Sequence, residues 1–241
     1  MYPEGLAFET ISAQEHRRYL KTHLPLDGLP LYDEVRYIHV ARDGRDACMS
    51  THDMVMGFVA TPWADEIDPE IGKPYPAIPD NPRDYFHMWL TTPVHDDQSD
   101  GTPFLSFFDL EVSCWAERRL SNVLLVHYND LKADLAGEMR RIADFLDVSV
   151  DEEKWPDFVR AATFDEMKAA GARIKPSVID AMDGGADRFF NKGINGRWAP
   201  HFSQSDLALY DGKVHEKFTP NLAKWVAGGR IEAGDPRTLA D

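Results

Sequence analysis

No stretch of this chain holds the roughly 20 consecutive apolar residues a bilayer-spanning helix needs, so no membrane span is predicted. Cysteine is nearly absent: Cys48 and Cys114 are the only two, too few for a disulfide framework. Both predict packed thiols in a reducing compartment, the cytoplasm. Positive charge is scarce as well. Against 41 acidic residues stand 26 Lys and Arg, a net charge of −15, and such a field repels nucleic acid and anionic membrane alike. There is no His-Glu-x-x-His, no Cys-x-x-Cys and no calcium-loop pattern, so no metal is expected. The Gly-x-x-x-x-Gly-Lys-Ser/Thr loop that holds magnesium and nucleotide β/γ-phosphates is missing too, which disfavours a nucleotide kinase.

What remains is a 241-residue chain able to bury a sizeable core, read as one domain over 1–241. Its most informative stretch is VRYIHVARDGRDACMS, residues 35 to 50. An apolar strand runs through an Arg-Asp-Gly turn into a helix spanning residues 44 to 58. Arg42 thus stands at a carboxyl strand end beside a helix N-terminus, and Ser50 lies on the helix, which suits an anion. The plainer reading is a capped helix, with Asp43 and Asp46 answering the free amides of its first turn. Downstream, Asn191 to Trp198 (NKGINGRW) forms a second glycine-bearing loop, whose amides can approach an anion closely. Two such cradles on an acidic chain suggest a nucleotide-like ligand.

The rest of the chain alternates strands and helices, which predicts an α/β fold with a parallel sheet flanked by helices. Arg18 to Lys21 and Val35 to Ala41 read as buried strands, and Asn122 to Tyr128 as a strand buried on both faces. Helices are expected over Arg83 to Leu90 and Phe104 to Leu120. Leu131, Leu135, Met139, Ile142 and Leu146 mark one face of another. Six prolines from Pro62 to Pro82 exclude a helix or central strand there. That stretch predicts a long loop, with residues 61–102 as an acceptor-side lid and Trp63 to Asp100 mobile.

Five segments in order resemble the cytosolic-type sulfotransferases. Lys21-Thr22-His23-Leu24-Pro25 is similar to the family's Lys-Thr-His-Leu-Pro segment, and Arg42 to Ser50 to its 3′-phosphate segment. Val123 to Asp130 resembles its strand ending in Tyr-Glu-Asp. Phe164-Asp165-Glu166-Met167 resembles its adenine segment, and Phe190 to Trp198 with Phe202 its Arg-Lys-Gly-x-x-Gly-Asp-Trp…Phe. The resemblance implies a P-loop nucleotide-kinase-like sulfotransferase fold and transfer of a sulfuryl group from 3′-phosphoadenylyl sulfate to a hydroxyl, or an amine, of a small apolar acceptor. It implies no metal, 3′-phosphoadenosine 5′-phosphate as product, His23 as base and Lys21 as a cation on the sulfuryl oxygens. Arg42, Ser50, Lys192 and Gly193 would meet the 3′-phosphate, Tyr128 the adenine edge and Phe164 the adenine ring. For each residue there is a bland counterpart: a packed histidine, surface lysines, a helix-facing tyrosine, a core phenylalanine.

The chain departs from the family's pattern at three places. Tyr2-Pro3-Glu4-Gly5 lacks the lysine of the family's Tyr-Pro-Lys-Ser-Gly loop and lies close to Lys21, so the expected chain begins after that strand and loop. Its sheet would then expose backbone edges beside Val35 to Ala41 and Asn122 to Tyr128. Asn191 replaces the family's arginine, and Arg197 replaces its aspartate. A catalytically inactive nucleotide- or apolar-ligand-binding remnant of the same fold is the remaining alternative. Aromatic and methionine side chains between Met54 and Phe108, Tyr85, Phe86, Trp89 and Phe108 among them, suit the lining of an apolar acceptor pocket, and most would serve equally as core.

Overall fold

The structure is a computed structural model that describes residues 9, 11–58, 77–92, 106–174, 179 and 181–240. Its centre is a pair of parallel strands, β1 (Tyr37–Ala41) and β2 (Val123–His127), in register from Tyr37↔Val123 to Ala41↔His127. Parallel pairing needs a long crossover. This one contains α1 (Gly44–Val55), α2 (Pro82–Thr91) and α3 (Phe107–Ala116). Each helix starts where a side chain accepts from its free amides: Asp43 from Arg45 N–H, Asn81 from Arg83 N–H, Ser106 from Asp109 N–H.

After β2 come α4 (Tyr128–Ala133) and α5 (Leu135–Phe145), then α6 (Trp155–Ala161), α7 (Phe164–Ala169), α8 (Gly171–Ile174) and α9 (Gly185–Phe189). The chain closes with α10 (Gln204–Lys217), α11 (Pro220–Gly228) and α12 (Arg230–Ala233). The single helix expected from Leu131 to Leu146 is therefore two. Asp134 ends α4 in a non-helical conformation, and its carboxylate accepts Gly137 N–H to start α5.

The core lies between the sheet and α2, α3, α10 and α11. Tyr85, Phe86, Trp89 and Phe108 are buried in it together with Trp115, Leu222 and Trp225. Phe86 stacks on Phe202 at 3.9 Å between ring centres. Burying side chains of this size contributes about 1.5–3 kcal/mol each. Of the two readings these aromatics allow, the structure shows core: helix periodicity turns them inward, Phe86 toward Tyr210 of α10 and Trp89 toward Phe108 of α3. Trp63 and Phe104, the loop from Pro62 and the polar turn from Asp96 to Gly101 lie wholly or largely outside the described residues, as does most of the expected lid.

Two further expectations are corrected. Arg18 to Lys21 is no strand: it has no ladder partner among the described residues, and Tyr19 and Leu20 are 90% and 81% exposed. Sequence propensity cannot make a strand without a neighbour to receive its hydrogen bonds. The sheet edges also differ from each other. Toward solvent, β2 is dressed by arginines, Val123 C=O accepting from Arg237 at 2.7 Å and Leu125 C=O from Arg141 at 3.0 Å. On β1, Ile38 and Val40 are exposed, so Val35 to Ala41 is not the buried strand its apolar run suggested.

The C-terminal helices are fastened to α4 and α5. Buried Asp130 accepts Arg230 N–H at 2.8 Å and Ile231 N–H at 3.0 Å. Glu138, also buried, takes the guanidinium groups of Arg141 and Arg230. His127 donates from Nε2 to Val226 C=O and accepts Asn129 N–H on Nδ1, which sets its tautomer. Burial lowers its pKa, so it stays neutral.

Candidate functional site

Ala41 and His127 are the last register pair of the sheet, so the residues that follow them, Arg42 and Tyr128, leave its carboxyl end side by side. The Arg42 guanidinium lies over the Tyr128 ring, 4.3 Å from its centre. Its Nη2 donates to Ile194 C=O and to Asn195 Oδ1, both at 3.0 Å. The Arg42 Nε–H is buried and has no hydrogen-bond partner among the described residues. Asn195 in turn donates from Nδ2 to Asn129 Oδ1 at 2.7 Å. The 191–197 loop is thus drawn onto the strand ends from two sides.

The same loop is bound along α1. Asp46, buried, accepts Gly196 N–H at 2.9 Å and Arg197 N–H at 3.3 Å. This corrects two expectations at once. Asp46 does not answer the amides of its own helix, and the Gly196 and Arg197 amides are engaged by the protein's own carboxylate. Asp53 Oδ2 receives Asn191 Nδ2 and pairs with the Arg197 guanidinium. Trp198 is a packing anchor, with Arg45 over its ring at 4.3 Å and Phe202 stacked beside it.

Gly193 has φ +62, and a Cβ there would stand 2.6 Å from the Phe164 ring. Backbone and ring are therefore in contact, and only glycine allows it. Phe164 meets Phe190 edge-on at 6.4 Å. Of the residues singled out in the sequence, Arg42 and Tyr128 meet at the strand ends, while Phe164 and Gly193 meet on the loop bound to them. Ser50 and Lys192 are exposed, Ser50 on the helix that carries Asp46 and Asp53, Lys192 on the loop itself.

Among the described residues, no hydrogen bond or ion pair joins Lys21 or His23 to this group; both stand on the segment that precedes β1. Their segment is docked by Leu26, whose N–H donates to Ser113 Oγ of α3 at 2.9 Å, and Thr22 Oγ1 accepts Leu24 N–H. Partial burial and then the Lys21 charge lower the His23 pKa. It is therefore neutral near pH 7 and able to accept a proton. The sequence reading missed Asp46's true partners, Asp53, Asn129 and Asn195. Their only local signal is the seven-residue spacing of the two aspartates on one helix face; their partners lie far along the chain.

The fold is α/β, with a stacked arginine and tyrosine at its strand ends covered by a glycine loop. A family model described as sulfotransferase domain matches residues 4–221, and the chain belongs to the sulfotransferase family. The glycolipid sulfotransferase of Mycobacterium tuberculosis strain H37Ra is 32% identical over 92% of this chain and 72% of its own length. Sulfotransferase 1B1 of Mus musculus is 27% identical over 84% of this chain and 61% of its own. The fold is similar to a mouse sulfotransferase complexed with PAP, with TM-score 0.67 and 21% identity over 91% of this chain and 72% of that one. It is also similar to retinol dehydratase in complex with androsterone and inactive cofactor PAP, with TM-score 0.64 and 25% identity over 87% of this chain and 56% of that one.

Proposed function

We propose that this protein transfers the sulfuryl group of 3′-phosphoadenylyl sulfate to a hydroxyl, or an amine, of a small apolar acceptor. The observation that carries this reading is Arg42: a guanidinium stacked on Tyr128 at the strand ends, with one buried N–H left for a ligand. Arg42, Ser50, Lys192 and Gly193 hold the 3′-phosphate, Tyr128 meets the adenine edge, and Phe164 offers its ring to the base. His23 takes the proton from the acceptor hydroxyl as that oxygen attacks sulfur, and the 5′-phosphate leaves with the electrons of the broken S–O bond. Lys21 offsets charge on the sulfuryl oxygens. The acceptor class draws support from a relative named for glycolipids and from a neighbour solved with androsterone.

Each charge-assisted contact to the 3′-phosphate contributes about 1.5–3 kcal/mol. Calorimetry without magnesium is expected to show 3′-phosphoadenosine 5′-phosphate binding at least about 100-fold more tightly than AMP, since more than one such contact is lost. Equal affinity for the two nucleotides would overturn the assignment. In a transfer assay with labelled 3′-phosphoadenylyl sulfate and phenol, sterol and glycolipid acceptors, His23→Ala is expected to lower turnover about 100-fold and leave nucleotide affinity unchanged.

A further inference from the structure

Asp46, Ser50 and Asp53 occupy positions i, i+4 and i+7 of α1, which places them on one face of the helix. Both carboxylates hold the 191–197 loop: Asp46 through the Gly196 and Arg197 amides, Asp53 through the Asn191 amide group and the Arg197 guanidinium. Ser50, the helix's one ligand in the reading above, stands between these two tethers. Lys192 and Gly193, the loop's ligands, lie in the span between Asn191 and Gly196 that the tethers close. A bare carboxylate beside a phosphate subsite would repel the ligand. Here the charge of Asp53 is offset by a guanidinium, while Asp46 keeps its charge and is turned onto two N–H donors of the loop. The Asp53 and Arg197 side chains are 25% and 18% exposed, dry enough for the pair to exceed an ordinary surface ion pair.

We propose that the Asp53–Arg197 pair, with Asn191 bonded to the same carboxylate oxygen, is a clasp that presets the loop for a 3′-phosphate, and that both are positioning residues for that subsite. The proposal rests on the nucleotide reading given above. Arg197 acts through the loop, not as a ligand of the phosphate, and this distinction is what the test reads.

Calorimetry is performed on the full chain with 3′-phosphoadenosine 5′-phosphate and with AMP. The proteins compared are the wild type, Asp53→Ala, Arg197→Ala, the double variant, and the reversed pair Asp53→Arg with Arg197→Asp. Each single change is expected to weaken the 3′-phosphorylated nucleotide about tenfold and leave AMP within about twofold. The double variant is expected to be no weaker than the weaker single variant, because both remove one interaction. The reversed pair is expected to recover most of the loss. Where Asp53→Ala does not fold, Asp53→Asn removes the charge and keeps an acceptor oxygen, and the same selective loss is expected. Unchanged or tighter binding in Asp53→Ala would make Arg197 a direct ligand and overturn the clasp. Multiplying losses in the double variant, or equal losses for AMP, would overturn it too. A wild type that does not distinguish the two nucleotides overturns the nucleotide reading and the clasp with it. Variants that match a discriminating wild type overturn the clasp alone.

Discussion

Gly193 shows how much a single position can decide. Its φ of +62 costs an L-residue about 1–2 kcal/mol. A methyl group would also stand 2.6 Å from the Phe164 ring, so ring or loop must move. Gly193→Ala is expected to lower the melting temperature by about 2–8 °C through the backbone cost alone, at roughly 2–4 °C per kcal/mol for a chain of this size, and further through the collision. It is also expected to weaken binding of 3′-phosphoadenosine 5′-phosphate, because the displaced loop carries Lys192. Adding Phe164→Ala removes the collision but not the backbone cost, so only part of the melting temperature is expected to return. Thermal unfolding of both variants measures the two contributions separately. Full recovery would show that the positive φ costs nothing here.

At the scale of elements, α10 is tied to α2 through one carboxylate. Asp206 is fully buried, accepts from Arg83 at 2.7 Å and 3.1 Å and meets His87 at 2.6 Å. It also completes the capping box with Ser203 that begins α10. Hydrogen bonding to Arg83 is the largest influence on its pKa, and with Ser203 and His87 it outweighs the desolvation that opposes it, holding the carboxyl well below the usual range. A depressed pKa contributes stability above the unfolded-state value near 4, and that contribution is lost as pH falls through the folded-state value. Asp206→Asn is therefore expected to cost about 2 kcal/mol near neutrality, the upper end for a lost cap. The difference from wild type is expected to narrow as pH falls below about 4. Urea unfolding at pH 7 and pH 3 checks this; an equal cost at both would place the loss in packing.

For the whole molecule, a buried ion pair couples the sheet to α3 and makes stability depend on alkaline pH. His39 Nε2 meets Glu111 Oε2 at 3.0 Å, with side chains only 12% and 3% exposed. Burial by itself lowers the His39 pKa, but the Glu111 carboxylate, aided by Cys114, outweighs it and raises the pKa to about 10. A raised pKa contributes stability fully below the unfolded-state value near 6.5, and this is lost as pH climbs through about 10. Wild-type stability is expected to fall steadily between those limits. Glu111→Gln is expected to be about 3 kcal/mol less stable at pH 7, as when one partner of a buried pair is removed, and to show a flatter slope from pH 7 to 10. Chemical denaturation across that range reads both. A parallel slope in the variant would assign the pH dependence to the general charge of −15 instead.

Local chemistry in the sequence was sufficient for β1, β2, α1 and α2, and for the order of motifs that marks the sulfotransferase family, because capping, periodicity and short motifs act over a few residues. The local motifs that carry Arg42, Tyr128, Phe164 and Gly193 were visible for the same reason, and the fold brings Arg42 to Tyr128 and Gly193 to Phe164. What the sequence could not decide is where polar groups find partners across the chain. Asp46 reads as a helix-cap partner until the fold brings Gly196 to it, 150 residues away. Arg18 to Lys21 has strand-like residues, but a strand exists only where a neighbour takes up its hydrogen bonds. Tyr85, Phe86 and Trp89 look the same in sequence whether they line a pocket or fill a core; only the packing of α2 against α3 and α10 buries them. Local propensity is a short-range property, whereas burial and hydrogen-bond pairing belong to the assembled fold, and it is assembly that turned two acidic residues on α1 into the holders of the 191–197 loop.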